Sequence, residues 1–379
     1  MACLGSQVFH TCHNLATLTL PAKLTSIYAA DGGTILQYSS LKEITVPESN
    51  NYMVVKDGIL YNNYMVVKDG ILYNKDMTVL MFVPSKMDHT NVVIPDTVTS
   101  IEDYALYDFS GTELDLPAGL VKIGAAAFRG CASLETVELG ANLTFVGDFA
   151  FDGCFALAEV TFAEGCAIKE LGSDATVESA IFRGTAALKS IALPETVRTI
   201  GANIFENSGL ESITLPESLL AVSNYAFSGC ASLTSVSIPE PSYAFYGCTS
   251  LKDVVFGEYL SVIGDYAFAE CTGLEALDMS TTEVWIDGGN YPGKAEIGAF
   301  EGCNAIKKLS IGNIAPPPSG GFNGCPFRGW TSEQTIFFEY HTSAQRFNFI
   351  DLPNWGVFPG FTADWTKNHE AAIVFKDEV

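Results

Sequence analysis

The residues best suited to chemistry in this 379-residue chain are its ten cysteines and five histidines. His10, Cys12 and His13 stand together with Cys3 nearby, a donor set whose types suit zinc. The set lacks the two paired ligand spacings of a zinc site, so no metal centre is expected. His89, His341 and His369 are scattered, and no Ser/His/Asp or paired-carboxylate arrangement accompanies them. Gly288-Gly-Asn-Tyr-Pro-Gly293-Lys294-Ala295 comes close to a phosphate-cradling loop, but Ala295 stands where Ser or Thr would hold Mg²⁺. Its surroundings read as repeat rather than as the strand–loop–helix that such a loop needs. Asn142-Leu-Thr144 is a single glycosylation sequon. The expectation is therefore a chain with no catalytic residue, no cofactor and no metal.

The cysteines carry a different message through their surroundings. Most follow an Ala-Phe-x-Gly-Cys pattern, and aligning on its ring gives Phe128, Phe151, Phe182, Phe205, Phe227, Phe245, Phe268, Phe300 and Phe322. The steps of 23, 31, 23, 22, 18, 23, 32 and 22 residues give a basal period of 22–23 with two insertions and one deletion. Phe9 with Cys12 begins the same pattern near the start, and Phe109 and Ile35 mark degenerate copies. Cys12, Cys131, Cys154, Cys230, Cys248, Cys271, Cys303 and Cys325 then share one repeat position, held by Thr185 and Ser208 in two other units. Stacked coils would turn them into a ladder of buried small residues, because a free cysteine packs as a small hydrophobe. Neighbouring strands sit closer than the Cα separation that a disulfide prefers.

One unit shows what each residue type does. Leu134, Val137 and Leu139 give a short strand with alternate residues inward. Gly140, or Pro117, Pro194, Pro216 and Pro239 in other units, ends the pairing. Leu143 and Val146 start a second buried edge. Ala150-Phe151 is read as a helical turn that puts a ring in the core, and Gly153 allows the turn back. So short a unit cannot bury its apolar face alone, so neighbours must stack.

Ile263-Gly-Asp-Tyr-Ala-Phe-Ala-Glu-Cys271-Thr-Gly-Leu274 and Ser223-Asn-Tyr-Ala-Phe-Ser-Gly-Cys-Ala-Ser-Leu-Thr-Ser-Val-Ser-Ile-Pro239 resemble the BspA-type leucine-rich repeats of bacteria and protists. The resemblance covers roughly residues 4–48 and 92–325. It implies an α/β repeat fold, a right-handed leucine-rich-repeat solenoid with a parallel sheet face and short helical or 3₁₀ turns. It also implies a non-enzymatic, adhesin-like protein at a cell surface or secreted, binding protein or glycan. The first residues show no basic segment followed by an apolar one, as a signal peptide would have. That feature suits an alternative reading as an intracellular structural scaffold in the cytoplasm.

Four regions follow: N-terminal repeats (1–48), an inserted hairpin region (49–91), the main solenoid (92–325) and a C-terminal cap (326–379). In the insert, Tyr52-Met-Val-Val-Lys-Asp57-Gly58-Ile-Leu-Tyr61 reads as a hairpin about an Asp-Gly turn. Asn50–Tyr61 and Asn62–Tyr73 are identical twelve-residue blocks, which reads as an enlarged recognition element, a recent duplication or an error of sequence assembly. Ile238-Pro-Glu-Pro-Ser running straight into Tyr243-Ala-Phe predicts a local kink. Trp330, Trp355 and Trp365 are expected to cover the last coil or, if exposed, to bind a ligand.

Acidic residues outnumber basic ones 44 to 20, a net charge of −24 that opposes nucleic acid and anionic lipid. No apolar run reaches the length of a membrane span. The outward strand positions form the candidate binding face: Glu43, Thr45, Glu113, Asp115, Glu138, Glu159, Thr161, Ser212, Thr214, Ser235, Ser237, Asp253 and Asp278. Acidic at its shoulders and rich in Ser and Thr between, it suits a basic protein, peptide or glycan. The oligomeric state is open.

Overall fold

The computed structural model describes residues 2–4, 12, 14–19, 24–27, 42–45, 53–56, 59–62, 65–74, 76–172, 178–238, 244–256, 262–264, 266–286, 298–314, 327, 329–338 and 372–375. The chain divides into two compact units, Met1–Ser173 with Val177–Val197, and Asp174–Thr176 with Arg198–Val379. Strands and turns build both, with no helix among the described residues.

In the first unit, Thr136–Leu139 alternates exposed and buried residues and pairs in parallel with Glu159–Phe162 in a four-residue register, Thr136 opposite Glu159. The inward side chains Val137, Leu139 and Val160 join Leu134, Leu143 and Leu157 in the core. Further along each coil, a second edge made of Ser100–Ile101, Lys122–Ile123 and Phe145–Val146 forms a parallel ladder. In the second unit Ser235–Ile238 pairs with Asp253–Phe256 in the same parallel manner. Ala276–Ile286, Lys308–Ile314, Thr335–Phe338 and Ala372–Phe375 continue as one parallel sheet.

Between these edges each coil turns, and the turn differs from the helical one that the sequence suggested. Consecutive β-turns overlap, and alternate N–H groups go to different partners. In the coil of Phe128 the N–H groups of Ala126, Phe128 and Gly130 donate to Asp148, Ala150 and Asp152 of the next coil. Those of Arg129 and Cys131 close turns onto Ala126 and Phe128. The coil of Phe227 repeats the scheme: Phe227 and Gly229 reach Ala244 and Tyr246, while Ser228 and Cys230 bond internally. A helical turn would keep every bond inside the coil and leave the neighbour's carbonyls unmet. The alternation needs a left-handed residue two before the ring, found at Ala126 (φ 52°), Phe149 (60°) and Tyr225 (58°). Gly153 (φ 73°) returns the chain at a conformation that suits glycine. At Gly147 a Cβ would lie 2.5 Å from the Ala125 nitrogen, so only glycine lets those coils approach.

The rings stack as flat columns. In the first unit Phe128, Phe151 and Phe182 follow one another at 5.0 and 5.5 Å. In the second, the steps from Phe205 through Phe227, Phe245, Phe268 and Phe300 are 5.4, 5.2, 5.5 and 5.7 Å. The two insertions therefore leave the rings in contact, and the five-residue deletion before Phe245 does not widen its stack. The residues where a kink was expected, 239–243, lie outside the described set.

Two registers differ from the sequence alignment. Leu106 takes the ring position of its coil, because its N–H donates to Ala127 as that of Phe128 does to Ala150. Phe109 lies three residues on, in the cysteine position. At the other end Phe327 stacks on Phe300 at 5.7 Å and so takes a ring position that the alignment had not given it; Phe322 lies outside the described residues.

The hairpin is present twice. Met53–Lys56 pairs antiparallel with Ile59–Asn62, and Met65–Lys68 with Ile71–Asn74. In the second copy Asp69 and Gly70 both have positive φ (52° and 81°), the geometry of a two-residue type I′ turn. The five strands from Met53 to Phe82 form an antiparallel run that passes into the parallel second edge through Val79–Phe82 and Ser100–Ile101. Asn74 shapes the step between them, its Oδ1 accepting from the N–H groups of Thr78 and Val79 at 2.8 and 2.9 Å.

Phe227 is fully buried in the ring column of the second unit, so Phe227→Ala should cost about 3–5 kcal/mol and Phe227→Leu under about 1.5 kcal/mol. Urea unfolding of the full chain measures both. Equal small losses would show that the column does not carry stability.

Candidate functional site

The outward face lies where strand alternation puts it. In the first unit Glu138, Glu159 and Thr161 are exposed, with Glu138 directly opposite Thr161 across the ladder. Glu113 and Asp115 are exposed too, on extended chain outside any strand. In the second unit Ser212, Thr214, Ser235, Ser237, Asp253 and Asp278 are exposed, and Ser235 faces Asp253. Glu43 and Thr45 lie on a strand paired with Thr17–Thr19, and their side chains are outside the described set. Not every outward position stays wet: Ser310, opposite Asp278, is buried at 7% exposure. Hydrogen bonds from the Ser280 hydroxyl and amide hold Asp278 below the usual carboxylate range. Lys308 lies 4.5 Å over the ring of Phe337 and brings a cation to this part of the face.

The cysteines point the other way. Six of the ladder thiols donate to the carbonyl of the ring residue one coil earlier: Cys131 to Leu106, Cys154 to Phe128, Cys230 to Phe205, Cys248 to Phe227, Cys271 to Phe245 and Cys303 to Phe268, all at 2.9–3.2 Å. That carbonyl already accepts the N–H of its own coil's cysteine, as Phe128 does from Cys131 and Phe227 from Cys230. The thiol meets the second lone pair without the desolvation cost of a more polar group. Thr185 turns its hydroxyl to its own coil's Phe182 instead, and Ser208 lies 3.2 Å from the Cys230 sulfur. Burial pushes the Cys230 thiol up to about 12 and raises those of Cys131, Cys248, Cys271 and Cys303. These groups are protonated donors, not nucleophiles.

The ends of the ladder depart from the expected pattern. Cys12 is only half-buried, and Cys325 lies outside the described residues. Three residues after Phe327, Trp330 makes the bonds that a ladder cysteine makes in other coils: its N–H closes onto Phe327 and its indole donates to the Phe300 carbonyl at 3.0 Å. An indole can do so because it too is a donor with a large apolar body. Trp355 and Trp365 lie outside the described residues.

Two side-chain clusters escaped the sequence reading. In the first unit Asp152 accepts from Arg129 at 2.9 Å and from Arg183 at 2.8 and 3.0 Å, and Arg183 also meets Glu178. The two guanidinium groups lie 5.4 and 5.2 Å from the ring of Phe149. All three charges occupy the position after the ring, so writing the coils in register exposes the alternation of sign. The ring alignment already places them so, but sequence alone does not show that these side chains meet across the coils. In the second unit Tyr225, Tyr246 and Tyr266 make a half-exposed group with ring centres 6.1–6.4 Å apart.

His89 is buried beside Phe109, their rings 4.5 Å apart. The Ser110 N–H donates to its Nδ1 at 2.9 Å, so Nε2 carries the proton and donates to the Pro84 carbonyl at 2.9 Å. This ring holds two segments together. Nearby, a cleft of about 260 Å³ beside the Asp69-Gly70 turn is lined by Ile71, Met87, Val92 and Val93 with Asp69 and Asp88 at its edge.

Among the described residues no group of three or more His, Cys, Asp or Glu is arranged for a metal ion, and no helix is long and apolar enough to cross a membrane. His10 and His13 and the loop from Gly288 to Ala295 lie outside the described residues.

A family model described as the BspA type leucine rich repeat region matches residues 1–65, 82–178, 174–242 and 241–331, with six copies. No curated protein matches. Among solved structures, a leucine-rich repeat protein from Bacteroides ovatus is similar at 22% identity and a TM-score of 0.50, over 82% of each chain. One from Eubacterium ventriosum is 20% identical over 86% of this chain and 84% of its own, with a TM-score of 0.41. The T. pallidum leucine-rich repeat protein is 25% identical over 52% of this chain and 82% of its own, at 0.36.

Two outcomes follow for the buried groups. Thiol labelling in native buffer should leave Cys131, Cys154, Cys230, Cys248, Cys271 and Cys303 unmodified until urea unfolds the chain, which peptide mass mapping reads directly; rapid native labelling would contradict the ladder. Burial lowers the pKa of His89 from its ordinary 6.5, so its neutral form is the one that folding favours. Its contribution is present above pH 6.5 and declines as the pH falls through that value toward the folded one. The urea midpoint should therefore drop between about pH 7 and 5, and His89→Gln should flatten that part of the profile.

Proposed function

The chain belongs to the BspA-type leucine-rich repeat family, and from that premise we propose that it is a non-enzymatic interaction scaffold displayed at a cell surface or secreted. The observation that carries the reading is the strand face. In each unit it holds exposed side chains at fixed parallel-ladder spacing on a buried core. Glu113, Asp115, Glu138 and Glu159 in the first unit, and the Ser and Thr positions leading to Asp253 and Asp278 in the second, are directed to solvent. Such a face recognises by shape and charge over a broad area, and the partner it suits is a basic segment of a protein or a glycan. The whole-chain charge of −24 works in the same direction by steering cationic partners.

The buried thiols favour a second reading, an intracellular scaffold. They donate to carbonyls rather than pair, which a reducing compartment maintains. Thiol counting on protein purified from its native source separates the two, since oxidised ladder cysteines would remove the support for this second reading.

The scaffold reading is tested by immobilising the full chain and presenting purified extracellular-matrix glycoproteins and a lysine-rich peptide. At least one should be retained in a salt-sensitive way, and Glu138→Lys with Glu159→Lys should weaken it by roughly tenfold or more. No retention of any probe, or full retention by the reversed face, would overturn the proposal.

A further inference from the structure

The duplicated hairpin points to a self-association edge. Its two copies are identical in sequence, so the strand Met65–Lys68 reports what an edge of sequence Met-Val-Val-Lys accepts when a strand is at hand. Both of its sides are taken: Ile71–Asn74 pairs along one and Ile59–Asn62 along the other, each antiparallel. The identical strand Met53–Lys56 pairs with Ile59–Asn62 along one side and ends the eight-stranded sheet, with no second partner among the described residues.

Hydrogen-bond polarity can be followed from the turns. In a two-residue hairpin the pair that closes the turn exchanges both backbone bonds, and such pairs alternate along the ladder. Lys68 and Ile71 close the second hairpin, so Lys68 and Val66 direct their N–H groups inward and Val67 and Met65 direct theirs outward. The pairing of Leu60 with Val67 is the one this polarity requires. By the same count Lys56, which closes against Ile59, and Val54 bond inward, while Met53 and Val55 present N–H and carbonyl groups outward.

The geometry points to a second copy of this chain as the occupant of that edge, its own Met53–Lys56 strand lying antiparallel about a two-fold axis. Met53 would face Val55 of the second copy in a bonded pair, with Val54 on the axis. The occupant is a second copy because both Ile-Leu-Tyr-Asn strands of each chain are already paired on both sides, which leaves Met53–Lys56, among the described residues, as the hairpin strand with an open edge that a neighbouring molecule can offer. Such an interface is self-complementary, as closed two-fold assembly demands, and it joins two eight-stranded sheets edge to edge, the pairing to which an open edge strand is prone. Four residues of ladder make it a weak contact that depends on concentration.

Sedimentation equilibrium of the full chain over a wide concentration range tests this. The mass should rise from 40.7 kDa toward twice that value. Val55→Pro removes an outward N–H and leaves the inward bonds of its hairpin in place, so it should weaken association by roughly tenfold or more without moving the unfolding midpoint. Deleting residues 50–61 exposes Met65–Lys68, an edge of the same sequence, and should keep the association. A mass of 40.7 kDa at every concentration, association unchanged by Val55→Pro, or loss of association in the deletion would each overturn the proposal.

Discussion

The backbone N–H of the ring residue, donated to the neighbouring coil rather than to its own, is the interaction on which the rest of the structure depends. Phe128, Phe151, Phe227, Phe245 and Phe268 each make this bond. Because every second amide leaves the coil, the turn segment becomes a ladder in its own right, and the coils are tied on the turn side as well as on the strand side. The rings then have no freedom of register. They stack at 5.0–5.7 Å because the backbone beneath them is already spaced. Aromatic contact and ladder support each other, and together they tolerate insertions of eight to ten residues elsewhere in the coil.

The same constraint explains the cysteines. A carbonyl that accepts one bond within its coil has a second lone pair facing the next coil, in a dry space with room for one small donor. Thiol, and in the coil of Phe327 the Trp330 indole, meet that need. Thr185 and Ser208 occupy the place with different bonds, so the position selects for small size and donor capacity together. A thiol held this way is raised in pKa and spent as a donor. The most chemically suggestive residue type in the chain is thus part of its framework, and the exposed carboxylates and hydroxyls of the strands lie on the outward side.

Much of this was legible in the sequence, because stacking forces every coil to repeat the same core positions. The strand alternation at Thr136–Leu139, the ring position of most coils and the Asp-Gly hairpins follow from residue type and spacing alone. The form of the turn does not, since an Ala-Phe pair satisfies helix propensity equally well and only the neighbour's carbonyl decides where the amide goes. Leu106 and Phe327 were hidden for a related reason: the motif is defined by residue type, whereas the coil follows the bond, so Phe109 stood in for Leu106 three residues away and the Ala-Phe-x-Gly-Cys pattern did not mark Phe327. The Arg129–Asp152–Arg183 cluster sits at one position of the aligned coils, yet only the coil-to-coil geometry shows that its charges meet. The outward face was legible as a list of positions, and Ser310 marks where the list and the burial part, since neighbouring strands can cover an outward hydroxyl.

Hydrogen exchange of the native full chain, resolved to single amides along the turn segments, tests the central claim most directly. The account predicts that the amides of Phe128, Phe151, Phe227, Phe245 and Phe268 exchange only when their unit opens, at rates matching the buried strand amides of Val137 and Val236. Exchange at the pace of exposed turn amides would contradict it, because the coils would then be held by their strands and rings alone.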